Sequence, residues 1–154
     1  MDEYNSVFEF LKNQKKPSHA TLIDPEKQTP EEASKIVQIA IESGTDLILV
    51  GGSTTDKTSV EKTVEIIQET MELQQWAATQ NGIFEDQTSI VPVILFPNAS
   101  STLSKSADAL LFMTLLNSNS TKYLIREQLK ATKYIFENNI ETISTAYLIF
   151  EPGM

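Results

Sequence analysis

Four stretches of the chain repeat one design, an apolar run ended by a polar or glycine-bearing turn: HATLIDPEK, LILVGGSTTD, VPVILFPN and YLIFEPGM. Runs such as Leu47 to Val50 and Val93 to Phe96 are short and unbroken, the pattern of strands buried on both faces of a parallel sheet. In parallel α/β folds the loops leaving the carboxyl ends of the strands gather the chemistry. Asp24, Ser53, Asn98 and Glu151, far apart in sequence, are therefore expected at one mouth.

Between these runs the spacing turns helical. Residues 4 to 14 place Val7, Phe8 and Leu11 on one face. After a first strand at residues 19 to 23, Thr29 is the expected N-cap, Pro30 opens the helix, and Glu32 completes a capping box. Ala33, Ile36, Val37, Ala40 and Ile41 continue that helix to Gly44, a C-terminal glycine stop. DLILV follows as strand two, and Val60, Val64, Ile67, Met71 and Leu73 mark a helix running to about Gln80. VPVILF is strand three. The polar stretch PNASSTLSKSA is too short for a full helix before strand four, ADALLFM. A helix over residues 120 to 138 and a fifth strand, AYLIF, complete the pattern. With neither repeat nor linker, residues 1–154 read as a single α/β domain.

Composition removes whole classes of function. The 12 basic residues face 21 acidic ones, for a net charge of −9, and no basic run exceeds Lys15 and Lys16. Nucleic acid is an unsuitable partner for such a surface. Absence of cysteine excludes disulfides, cysteine nucleophiles and thiolate metal sites. No stretch approaches the ~20 apolar residues of a spanning helix, so a soluble cytoplasmic protein is expected.

Each candidate residue has two readings. Asp24 follows a strand and precedes Pro25, where a carboxylate is either a ligand for a hard cation such as magnesium or a turn residue bonding its own backbone. Gly51 and Gly52 let a ligand approach the backbone, and Ser53, Thr54 and Thr55 offer hydroxyls to phosphate or diphosphate. The alternative is a glycine turn with Thr55 or Asp56 as the next N-cap. Neither the P-loop lysine nor a GxGxxG is present. Tyr147 and Glu151, four residues apart, share a strand face and suit a polyol, with Glu151 accepting a hydroxyl proton. Tyr147 is alternatively a packing aromatic. His19, the sole histidine, has no GxSxG partner and reads as structural.

HATLIDPEKQTPEEA, GTDLILVGGSTTD, VPVILFPN, ADALLFMTLLNS and AYLIFEPGM, in this order, resemble the successive motifs of geranylgeranylglyceryl phosphate synthases and their heptaprenylglyceryl relatives. The resemblance covers almost all of residues 18 to 154. It implies a modified TIM (β/α)₈-type barrel with about five of its eight strands here, the family's later strands and their glycine-rich phosphate loops being missing from this chain. The implied reaction joins sn-glycerol 1-phosphate to a long-chain prenyl diphosphate through an ether bond, with Mg²⁺ as cofactor. Carried over residue by residue, Asp24 and Ser53 hold the metal. Tyr147, Leu148, Ile149, Phe150, Glu151, Pro152 and Gly153 hold the glycerol phosphate, with Glu151 and Tyr147 catalytic. A homo-oligomer and peripheral membrane contact are further implications. The chain departs from the pattern in PNASS, where relatives carry a glycine soon after the proline, and in the long stretch QQWAATQNGIFEDQTS. Prenyl length stays open between geranylgeranyl and heptaprenyl, and an inactive member that only binds a phosphorylated ligand or a partner is the alternative from another class.

Overall fold

The structure, a computed structural model, describes residues 6–80 and 91–150. Its centre is a five-stranded sheet, β1 (Ala20–Ile23), β2 (Leu47–Val50), β3 (Val93–Leu95), β4 (Ala109–Leu115) and β5 (Glu141–Tyr147). Neighbours are parallel throughout, in the order β1-β2-β3-β4-β5. A doubly wound sheet would reverse its order at a switch point. The unreversed order, with α2 (Pro30–Glu42), α3 (Lys57–Gln80) and α4 (Glu127–Glu137) all on one face, is the singly wound arrangement of a barrel wall.

Ile23, Ile48, Val50, Val93, Leu95 and Leu110 point to the helices and pack with Val37, Val60, Val64, Ile67 and Ala131. The alternate residues Leu47, Ile94, Ala109 and Ile143 form a separate cluster on the other face, against Val7 and Leu11 of α1 (Val7–Lys12). Continuous apolar runs are thus strands buried on both sides. The helix expected over residues 4 to 14 is shorter among the described residues, and its place is set by β5: Glu141 accepts from the Val7 and Phe8 N–H groups at 2.9 and 2.8 Å. Since Glu141 opens β5, α1 covers the amino-terminal half of this face. The carboxyl half, with Leu22 and Tyr147, stays exposed.

Local chemistry explains the helix limits. Thr29 and Glu32 form a reciprocal capping box with Pro30 behind it. Gly44 adopts φ +83°, its N–H bonds the Ile41 carbonyl, and the Thr45 N–H bonds that of Ala40, a Schellman ending that glycine admits without strain. Asp56 caps α3 through Ser59 N–H and Oγ, and these bonds hold its carboxyl below the ordinary range.

The connection between β3 and β4 has no helix, as its shortness predicts, and Leu103, Thr102, Ser104 and Ala107 are buried where one would pack. One strand differs from the sequence expectation. Strand five is the polar run ETISTAY, not AYLIF. Its register with β4 ends at Leu115 opposite Tyr147, so Leu148 to Phe150 follow the end of the ladder. Residues 122–126 form a π-helical turn leading into α4.

Candidate functional site

Asp24 leaves the carboxyl end of β1 and folds back as an Asx turn, Oδ1 accepting from the Glu26 N–H at 3.2 Å. Its other oxygen pairs with the exposed Lys27 ammonium at 3.0 Å. The carboxylate rests on the next strand's turn: a Cβ on Gly52 would lie 2.4 Å from Oδ1. Glu26 reaches the same turn through a hydrogen bond from Thr54 Oγ1. Both glycines are used for close approach, but by the protein itself. Gly51 lies against the Phe96 backbone, where a Cβ would come within 1.9 Å of the carbonyl oxygen.

The third turn joins from β3. Asn98 donates from Nδ2 to the Ser53 carbonyl at 2.8 Å, and its Oδ1 accepts from Thr102 Oγ1 at 3.0 Å. Asp24, Ser53 and Asn98 are therefore gathered at one mouth. On the far side, Tyr147 ends β5 with its ring edge-on to Phe96, centroids 5.9 Å apart. That contact supports a packing role for Tyr147 and leaves its ring partly exposed. The exposed segment Leu148, Ile149 and Phe150 is held by Asn117, which donates to the Ile149 carbonyl at 2.6 Å and accepts its N–H at 3.3 Å. Glu151, Pro152 and Gly153 lie outside the described residues, as do residues 81–90 of the long stretch before β3. His19 sits at the opposite end of β1, its Nδ1 meeting Thr45 Oγ1 at 3.0 Å, which accords with a structural role.

The donors suit a hard cation. No group of three or more His, Cys, Asp or Glu residues capable of holding a metal occurs among the described residues. An all-protein cage is thereby missing at Asp24. One carboxylate with hydroxyls nearby does fit magnesium, which commonly takes one or two carboxylates and completes its shell with water and substrate phosphate. Lys27 already supplies a positive charge to the Asp24 carboxylate.

Sequence reasoning missed Glu26, Asn117 and Glu127. Asn117 follows a strand end and was findable by that position. Nothing local marks Glu127, because its partner Ser100 lies in another connection: one carboxylate oxygen accepts from Ser100 N–H at 2.9 Å and Oγ at 2.7 Å. Those bonds, the backbone one foremost, bring the Glu127 carboxyl down to about 2. A depressed carboxyl favours the fold above its unfolded value of ~4.3, and that contribution is lost as pH falls through the folded value. The urea midpoint of the wild type should therefore exceed that of Glu127→Gln steadily down to about pH 5, and the gap should close toward about pH 2. Asp108, raised chiefly by burial, has the opposite slope but is common to both proteins and cancels in the difference.

Comparison with known protein families matches residues 10–154 to the PcrB family. The chain belongs to that family. Among curated members, the geranylgeranylglyceryl phosphate synthase of Thermoplasma volcanium is 41% identical over 145 residues, covering 94% of this chain and 50% of that protein. The synthase of Methanosphaera stadtmanae is 42% identical over 153 residues, covering 99% of this chain and 55% of its own length. This chain thus spans about half the length of the curated family members it matches. In three dimensions it matches wild-type GGGPS from Thermoplasma volcanium with a TM-score of 0.79 and 37% identity, over 97% of this chain and 54% of that one. An (S)-3-O-geranylgeranylglyceryl phosphate synthase from Thermoplasma acidophilum, solved with its substrate sn-glycerol-1-phosphate, matches with the same TM-score and coverage at 35% identity. No helix among the described residues is long and apolar enough to cross a membrane.

Proposed function

We propose that this mouth serves a prenyltransferase, a geranylgeranylglyceryl phosphate synthase, which joins sn-glycerol 1-phosphate to geranylgeranyl diphosphate in an ether bond. The observation that carries the reading is the seating of the Asp24 carboxylate on Gly52, beside Ser53 and across the strand ends from Tyr147 to Phe150. Similarity to the sn-glycerol-1-phosphate-bound relative supports the choice of acceptor.

Asp24 and Ser53 hold Mg²⁺ in this reading. Bound there, the metal supplies positive charge to the departing diphosphate. Lys27, whose side chain is largely exposed, would give way to the metal. Glu151, assigned by its motif, accepts the proton of the glycerol hydroxyl as the hydroxyl oxygen bonds to the allylic carbon and the carbon–diphosphate bond breaks. Tyr147 and the Leu148 to Phe150 segment orient the glycerol phosphate, so that much of the acceleration is positional.

The deciding assay is magnesium-dependent transfer from labelled geranylgeranyl diphosphate to sn-glycerol 1-phosphate by the folded chain, with heptaprenyl diphosphate as competitor donor. Transfer with geranylgeranyl preferred is expected. Binding of sn-glycerol 1-phosphate without transfer would leave the chain a binding member only, and heptaprenyl preference would reassign the donor. Gly52→Ala should lower Mn²⁺ affinity by about tenfold while barely moving the urea midpoint, because its Cβ displaces a side-chain carboxylate and no backbone.

A further inference from the structure

We propose that Glu127, at the start of α4, is a positioning residue for the mouth turn after β2, holding the Ser53 backbone in place through Ser100 and Asn98. The inference rests on the reading of Asp24 and Ser53 as the metal side, and extends it to a helix that touches neither.

The connection between β3 and β4 lacks the helix that would ordinarily brace a βα loop. What braces it instead comes from α4. A single oxygen of Glu127 takes both the N–H and the hydroxyl of Ser100, while the other oxygen is held by Lys130 at 3.1 Å. The next residue fixes the helix itself. Gln128, 7% exposed, donates from Nε2 to the Met113 carbonyl at 2.5 Å and to Thr114 Oγ1 at 3.2 Å, tying the start of α4 to β4. Ser100 is therefore anchored to the sheet through a rigid element.

From Ser100 the path continues within one short turn. The single Thr102 hydroxyl proton is shared between the Ala99 carbonyl and Asn98 Oδ1. With its oxygen so held, the Asn98 amide has its nitrogen fixed toward the Ser53 carbonyl. Ser53 adjoins Gly52, on which the Asp24 carboxylate rests. A displaced turn at Ala99 and Ser100 would release the Asn98 amide and let the Ser53 carbonyl move with it. Groups that hold a metal-binding residue in orientation commonly govern metal affinity without touching the ion.

The test uses the ¹³C shift of the Ser53 carbonyl, which reports its hydrogen bond from Asn98 directly, together with the affinity of the chain for Mn²⁺ alone. Asn98→Ala sets the shift of the unbonded carbonyl. Glu127→Ala, which removes the acceptor, is expected to move the signal toward that value and to weaken Mn²⁺ binding by about tenfold, and Ser100→Ala, which keeps its N–H bond, to move both in the same direction by less. Ser100→Thr, which keeps the hydroxyl, should stay with the wild type. A purely structural Glu127 would lower stability and leave the Ser53 signal unmoved. That result overturns the proposal, and Ser100→Ala, the milder change, decides it should Glu127→Ala fail to fold. Should the carbonyl respond while the wild type binds no Mn²⁺, the positioning role stands and the metal reading falls.

Discussion

Asp24→Asn should lower prenyl transfer at saturating magnesium by roughly 10²–10³-fold, the scale seen when one charge-stabilising group is removed from a transition state. The substitution separates the two readings of this residue. Asparagine forms the same Asx turn, accepting the Glu26 N–H through its own Oδ1. As a turn residue alone, Asp24 would tolerate the change with near wild-type turnover. As a metal ligand, it loses its charge, its Lys27 partner at 3.0 Å and its hold on the cation together. Transfer kinetics combined with Mn²⁺ titration decide the matter. Full activity of Asp24→Asn would remove Asp24 from the site.

Gly51→Ala is expected to be the most destabilising single methyl in the mouth, at about 3 kcal/mol or more in urea unfolding. The added Cβ would lie 1.9 Å from the Phe96 carbonyl oxygen and 2.7 Å from its carbon. Both are backbone atoms, in a segment where the Phe96 N–H bonds the Val50 carbonyl at 2.8 Å. Relief requires pulling the ends of β2 and β3 apart. Gly44→Ala gives the contrast: nothing lies within 4 Å there, and only the φ of +83° opposes the side chain. Its cost should be about 1–2 kcal/mol. Equal losses at the two positions would mean that the β2–β3 mouth relaxes freely and that Gly51 is not a packing requirement.

Depth of burial explains which parts of the fold were readable. LILV and VPVIL announced β2 and β3 because both faces of those strands are covered, by helices on one side and α1 on the other. Thr29, Glu32 and Gly44 announced the ends of α2 because capping chemistry is local. β5 escaped because it lies at the edge of the described sheet, where Thr142, Ser144 and Ala146 are exposed and a strand need not be apolar. Apolarity therefore drew attention to Leu148 to Phe150, three residues past the end of the ladder.

The same division runs through the site. Residue type and position at a strand end were enough to nominate Asp24, Ser53 and Asn98 for one mouth, since a parallel sheet sends all its carboxyl ends the same way. Spacing could not say what Gly51 and Gly52 make room for. That depended on β1 and β3 flanking β2, which puts the Asp24 carboxylate and the Phe96 backbone against them. Nor could any local pattern reveal Glu127, whose bond to Ser100 spans 27 residues and whose path to Ser53 crosses another 45. Short-range chemistry is written in neighbouring residues, whereas bonds between distant turns exist only once the sheet order has made them adjacent.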